Sequence, residues 1–510
     1  MVEDLAARTA RLLDAAIERA EGAATRDHLE QARARLLGPL RVAIAGKVKA
    51  GKSTLLNALV GERLAPTDAG ECTRVLTWYL HGHAPAVRLI PVQGMPREPR
   101  FVRDDTQLSI DLAPTAPQDV ARLEVRWPTS RLSDLALLDT PGIASIRAEV
   151  SDRTHSALEH RAGQVPEVDA VIYLLRHVHS SDARFLEAFR GATDLAEGTA
   201  LNTIGVLSRA DEIGSCRLDA LDTAATVARR YEDDARLRRL CPMVVPVDGL
   251  LALAATALRE RQFAALAALA GQPVPETEAL LLSADRFRTL PAAVEVDRRS
   301  ELLDLFGLFG VRLAVHLLQT GEVRDSPALA AELAARCGLA RLRGVLTRQF
   351  HDRARILKAR SAIAALEPVI ADGRCYGADT LRHQFEELIA NAHELVEMRL
   401  LADLRVGAVD LPAPQRDELE RLLGGFGHDP RTRLDAPTAN LTRPTGDADA
   451  ANPVDPDMDA DLRAIALEAL VRWRSRAQHP LAGGTTRQAA LVAVRTIEGI
   501  VASLSPEAPA

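Results

Sequence analysis

The stretch from Leu40 to Leu59 constrains this chain more than any other. The apolar run Arg41-Val42-Ala43-Ile44-Ala45 leads into Gly46-Lys47-Val48-Lys49-Ala50-Gly51-Lys52-Ser53-Thr54, and Leu55-Leu56-Asn57-Ala58-Leu59 follows. An apolar run, then G-x-x-x-x-G-K-S, then a helical pattern predicts a buried strand, a phosphate-cradling loop and a helix. Gly46 and Gly51 let the backbone turn its N–H groups inward around a phosphate, and the helix N-terminus adds partial positive charge. Lys52 is placed to reach the β- and γ-phosphates, and the Ser53 hydroxyl to ligate Mg²⁺. Lysine usage points to the same loop. Of 63 basic residues only Lys47, Lys49, Lys52 and Lys358 are lysine. Three of them sit in this loop, where a compact ammonium on a flexible stem does what a planar guanidinium cannot.

The rest of the composition sets the class. A chain of 510 residues has room for about three domains. Aromatics are only 3% while Ala, Leu and Arg dominate, which favours helices over sheets. A net charge of −7 with no basic run gives no general pull toward nucleic acid or anionic lipid. The five cysteines lack metal-ligand spacing, so reduced thiols are expected. The acidic N-terminus has no apolar h-region and no apolar stretch reaches transmembrane length, so a cytoplasmic protein is expected.

Residues 1–39 carry Leu5, Leu12, Leu13, Ile17, Leu29 and Leu36 at helical spacing, predicting two helices broken near Gly22. From Leu40 to about Val247, apolar runs alternate with helical stretches, as a doubly wound, mostly parallel sheet requires. The strands expected are 41–45, 73–80, 86–91, 123–126, 135–138, 170–175, 202–207 and 243–247. Helices follow over about 250–340, and residues 302–318 read as a buried helix after a glycine turn. Beyond 341 the three- and four-residue apolar spacing predicts an all-α helical-bundle trunk, with residues 1–39 packing against it. Within it, residues 429–461 hold five prolines and, after Thr445, six aspartates, predicting a flexible acidic loop.

Two further motifs refine the nucleotide. Leu135-Ala136-Leu137-Leu138-Asp139-Thr140-Pro141-Gly142 is a strand ending in D-x-x-G: Asp139 would hold Mg²⁺ through water, and the Gly142 N–H would sense the γ-phosphate. Ile204-Gly205-Val206-Leu207-Ser208-Arg209-Ala210-Asp211 is another strand reaching the sheet edge. The Asp211 carboxylate can accept from guanine N1–H and N2–H₂, which adenine cannot offer, while the Arg209 stem lies on the base plane. Thr73 suits a switch threonine closing on Mg²⁺ and the γ-phosphate, and Val245-Pro246-Val247-Asp248 would supply backbone contacts to the base edge.

Taken together, Gly46–Ser53, Pro66 with Thr73-Arg74, Asp139-Thr140-Pro141-Gly142 and Ser208-Arg209-Ala210-Asp211 resemble the dynamin superfamily. The resemblance is strongest to bacterial dynamin-like proteins of the mycobacterial isoniazid-inducible group. The long stretch between Thr73 and Asp139 is similar to dynamin relatives and unlike small G proteins. The resemblance implies a large GTPase domain, residues 40–340, on a helical trunk, residues 341–510. It also implies GTP and GDP with Mg²⁺ as ligands, a homodimer through the GTPase domains, a second dynamin-like protein as a further partner, and membrane remodelling from the inner face of the cell membrane. At Lys49, guanylate-binding relatives place an arginine finger and dynamins a cation-binding serine, which implies a catalytic cation here. The sequence departs from the family in having Ser208-Arg209 where Asn/Thr-Lys is usual, and in an acidic, proline-rich trunk tip over 405–461. Two alternatives stay open: an Era-type GTPase acting on RNA or the ribosome, which shares the Lys52–Leu59 pattern, and a GTP-binding partner subunit of an active homologue.

Overall fold

The computed structural model describes residues 4–66, 75–103, 108–141, 167–176, 182, 186–187, 202–435 and 456–504. They form two compact units. One takes the described residues of 37–192 and 202–346, the other those of 1–36 and 347–510. The chain opens with α1 (Leu5–Glu18) and α2 (Ala23–Leu37), separated by Gly22, and both belong with the second unit except for the last residue of α2.

The first unit is built on a sheet of order β10-β9-β8-β1-β7-β2-β6-β3. Its strands are β1 (Leu40–Gly46), β2 (Thr77–His81), β3 (Ala86–Pro91), β6 (Val120–Trp127), β7 (Leu135–Asp139), β8 (Ala170–Leu175), β9 (Thr203–Ser208) and β10 (Val244–Val247). A separate hairpin joins β4 (Phe101–Arg103) to β5 (Leu108–Ile110). From β10 to β7 every neighbour is parallel, with β1 between β8 and β7. These strands are covered on both faces, so β8 and β9 are buried at every position and read as continuous apolar runs. The pairings β2–β7 and β3–β6 are antiparallel, which the apolar runs could not reveal because strand direction leaves no mark on them. Because the five strands from β10 to β7 run the same way, the ends of β1, β7, β9 and β10 meet at one edge, the usual position of a ligand in such sheets.

The helices of this unit are α3 (Lys52–Val60), α4 (Ala220–Asp233), α5 (Ala235–Leu240), α6 (Gly249–Ala257), α7 (Glu260–Ala270), α8 (Val274–Leu280), α9 (Ala284–Thr289), α10 (Val296–Thr320), α11 (Ser326–Arg336) and α12 (Leu339–Leu346). The expected helix over 302–318 is part of α10, which is longer and breaks its φ/ψ at Gly307 (φ 65°). A Cβ at Gly307 would lie 3.2 Å from Leu250 Cδ2 and 4.0 Å from Asp211 Oδ2, so the break lets α10 pass close to the sheet edge. The expected boundary at 340/341 falls inside α12, and the unit runs on to Leu346.

The second unit adds α13 (Ala354–Ala371), α14 (Ala378–Ala390), α15 (His393–Arg405), α16 (Ala413–Leu422), α17 (Pro430–Leu434), α18 (Pro456–Ala477) and α19 (Gly484–Ser503). Asp4 caps α1 by accepting from Ala7 N at 2.9 Å, and α1 buries Leu5, Leu12, Leu13 and Ala16 against α13 and α14. The expected acidic loop is shorter than 429–461: Asp429 caps α17 and α18 starts at Pro456, since a proline is well placed in a first helical turn. Residues 436–455 lie outside the described residues. Within the proline-rich region 405–461, Val409 and Leu411 are buried, while Phe426 is 48% exposed.

This unit also holds a buried polar cluster. Arg353 donates to Gln349 Oε1 (3.0 Å), to the Gly424 carbonyl and, through Nε, to His428 Nε2 (3.2 Å). Arg433 pairs with Glu397 at 2.7 Å, and Arg405 with Glu420 at 2.7 Å. Burial, together with the charges of Arg353 and Arg433, pushes the His428 imidazole down to about 4. The unfolded chain, with histidine near its ordinary value of about 6.5, therefore binds the proton first. Stability is fully present above about pH 6.5 and is lost as pH falls toward 4, by up to about 3 kcal/mol from this residue. Denaturant unfolding at pH 7.5 and pH 5 is expected to show a clear loss for the wild type. His428→Gln, which keeps an acceptor for Arg353, should lose distinctly less; an equal loss in both proteins would remove His428 from the effect.

Candidate functional site

The loop after β1 is shaped by close approach. Gly46 has φ 148°, and a Cβ there would lie 2.9 Å from the Leu174 carbonyl on β8, so only glycine fits beside that strand. Lys49 stands at φ 62° and exposed at the outer bend of the loop, and Gly51 caps α3 in the left-handed region. Ala50 is buried beneath the loop, and Ser53 and Thr54 fall in the first turn of α3. Lys52 Nζ folds back over the loop and donates to the carbonyls of Gly46 (3.2 Å) and Lys47 (3.1 Å).

At the end of β7, Asp139 Oδ2 accepts from Ser53 Oγ at 2.8 Å. Burial pushes the Lys52 ammonium down and the Asp139 carboxyl up, and each charge holds the other against that shift. Asp139 Oδ1 is buried without a hydrogen-bond partner among the described residues. A hydroxyl beside a carboxylate with a free buried oxygen is a hard-oxygen donor pair that fits Mg²⁺. Thr140 is turned inward, its Oγ1 donating to the Ile44 carbonyl at 2.9 Å.

At the ends of β9 and β10, Ser208, Arg209, Asp211, Glu212, Asp248 and Leu250 line a cavity of about 250 Å³ that reaches Ala50, Gly51 and Thr54. Ser208 Oγ donates to the Leu175 carbonyl at 3.2 Å and ties β9 to β8. Arg209, at φ 52°, is held by Glu212, which also receives Arg176. Asp211 does not cap the short helical turn Ala210–Glu212; Arg209 occupies that position, which leaves the Asp211 side chain on the cavity wall. Burial and the neighbouring Glu212 charge raise the Asp211 carboxyl above its ordinary range.

Gly46, Ala50, Gly51, Lys52, Ser53, Thr54, Asp139, Ser208, Arg209 and Asp211 thus lie along one sheet edge, with Lys49 on the loop above it. Thr73 and Gly142 lie outside the described residues. Two groups escaped the sequence reading. Lys47 pairs with the buried Asp182 at 3.1 Å, and Tyr173 Oη donates to the same carboxylate at 2.8 Å. Nothing in the sequence around Asp182 marks it as a partner of the loop. The other group is the Asp248 side chain, which the sequence suggested only for its backbone.

The motifs agree with what comparison with known proteins finds. The Dynamin family matches residues 42–209. The isoniazid-induced protein IniC of Mycobacterium tuberculosis is 39% identical over 479 residues, covering 94% of this chain and 93% of that protein. The chain belongs to the dynamin family. Shorter matches reach the isoniazid-induced protein IniA of M. tuberculosis, 35% identical over 150 residues (28% of this chain, 22% of that protein). A bacterial dynamin-like protein of Nostoc punctiforme is 30% identical over 173 residues (31% and 24%). As a dynamin-family GTPase the chain binds guanine nucleotide and hydrolyses GTP; it is the family, not that activity, that separates it from an Era-type reading.

Proposed function

We propose that this GTPase pairs through its nucleotide-binding faces when loaded with GTP, and that pairing drives movement of the helical unit at a membrane surface. The observation that carries the reading is the sheet edge itself. Lys52, Ser53, Asp139 and Asp211 converge there, while Lys49 stays exposed and has no hydrogen-bond or ion-pair partner among the described residues. A cation presented outward from the nucleotide loop on a flexible stem can be pressed onto the phosphates by a second copy of the same face.

In this reading the loop N–H groups and Lys52 hold the β- and γ-phosphates, and Asp211 holds the base by its N–H edge. Ser53, Asp139 and Thr73 would hold Mg²⁺, which offsets the phosphate charge when bound. Thr73 and Gly142 would follow the γ-phosphate as switch residues. No described helix is long and apolar enough to cross a membrane, so lipid contact would be peripheral, on the inner face, with a second dynamin-like protein as a further partner. Co-sedimentation with anionic liposomes tests this. The full chain is expected to pellet with lipid more strongly with a non-hydrolysable GTP analogue than with GDP. Protein that stays in the supernatant in every nucleotide state would exclude direct remodelling by this chain alone.

A further inference from the structure

We infer that Lys47 and Asp182 are positioning residues for nucleotide binding: their ion pair ties the outer arm of the phosphate loop to the buried sheet and shapes the loop before a nucleotide arrives. The inference rests on the reading of this loop as the phosphate site and adds to it a pair that touches no phosphate.

Lys47 is one of the three lysines of the loop, and the phosphate chemistry leaves it without a task. Its Nζ stands 3.1 Å from Asp182 Oδ2, while Tyr173 Oη donates to Asp182 Oδ1 at 2.8 Å. Asp182 is only 2% exposed. Tyr173 is buried on β8, in register with Ala45, the residue before Gly46 on β1. The carboxylate is thus fixed from the sheet through Oδ1 and turns Oδ2 to the loop. A carboxylate this deeply buried is stable only when paired and hydrogen-bonded, and both partners are present.

The loop has use for such an anchor. On its outer arm Val48 is 50% exposed, and Lys49 points outward. That leaves the Lys47 side chain as the arm's link to a buried group among the described residues. An arm free to move would have to be ordered as the phosphates bind, and ordering it weakens binding. The backbone of Lys47 extends the effect. Its carbonyl accepts from Lys52 Nζ at 3.1 Å and from Ala50 N at 3.2 Å. Holding the Lys47 side chain therefore holds the turn that carries Lys52. Because the pair acts on the loop and leaves the γ-phosphate alone, it serves GDP and GTP equally.

Calorimetric titration of the full chain with GDP and with a non-hydrolysable GTP analogue tests this, beside denaturant unfolding without nucleotide. Lys47→Met keeps the stem and removes the charge; Asp182→Asn keeps the shape and an acceptor for Tyr173. Each is expected to weaken both nucleotides by the same factor, about tenfold or more. The double variant should bind no more weakly than the weaker single, because each change removes the same tether. Lys47→Arg, which can still reach the carboxylate, should stay within about threefold of wild type. Where a single variant leaves a buried charge unpaired and fails to fold, the double carries the test, with the same loss expected. A loss for the GTP analogue with GDP unaffected would place Lys47 on the γ-phosphate and overturn the inference. So would losses that add in the double, or variants that unfold more easily yet bind both nucleotides as wild type does. The underlying reading is checked separately by Lys52→Ala. If that variant loses binding while Lys47→Met and the double bind normally, only the tether fails; a Lys52→Ala variant that binds as wild type removes both.

Discussion

Lys52→Ala is expected to abolish GTP hydrolysis and to lower nucleotide affinity on the order of 10–10²-fold, since a hydrogen bond to a charged group contributes about 1.5–3 kcal/mol. The half-buried ammonium bridges the Gly46 and Lys47 carbonyls and carries the charge that offsets Asp139. On the proposed role its removal takes away the contact with the β- and γ-phosphates, and it leaves Asp139 without the charge that offsets it. Lys52→Arg should fail as well, because a planar fork cannot take the place of a compact ammonium inside so tight a loop. Calorimetric binding of GTP and GDP, together with phosphate release, checks both variants. Wild-type hydrolysis by either would show that phosphate is held elsewhere.

Lys49→Ala is expected to leave GDP affinity nearly unchanged while removing most of a concentration-dependent rise in specific activity. The side chain is exposed on a left-handed bend, so its loss perturbs no packed contact of the loop. Arginine fingers are worth on the order of 10³–10⁵ in rate. A lysine delivers less because it cannot make the bidentate contact. The wild-type rate per molecule should therefore climb with protein concentration, and the variant's should stay flat. A flat wild-type curve, or a variant as active as wild type at every concentration, would take Lys49 out of the mechanism. On the proposed role of Lys49, whose ammonium would stand where a K⁺ or Na⁺ ion could bind, exchanging the monovalent salt should change the rate little.

Local chemistry made much of this protein legible from its sequence. The strand–loop–helix at Leu40–Leu59 depends on residues close together in the chain, so β1, the loop and α3 stand where the motif places them. Buried parallel strands are apolar at every position, which made Ala170–Leu175 plain. The antiparallel direction of β2 against β7 was not, because an apolar run carries no direction. The hairpin of β4 and β5 was missed because three-residue strands are too short for a period. The apolar spacing is faint in α16, whose mostly polar sequence, Ala413–Leu422, buries only Leu419 and Leu422.

The division is sharpest at the site. Residues in consecutive motifs announce themselves, since the spacing of G-x-x-x-x-G-K-S is itself the geometry. Asp182 and Asp248 do not, because what matters about each lies far along the chain. One meets Lys47 across more than a hundred residues, and the other is defined by a cavity whose walls come from β9, β10, α3 and α6. The sequence by itself determined the nucleotide loop and the strand and helix that flank it. Only the tertiary structure decided which buried oxygens are left without partners, because a desolvated atom is a property of everything that surrounds it.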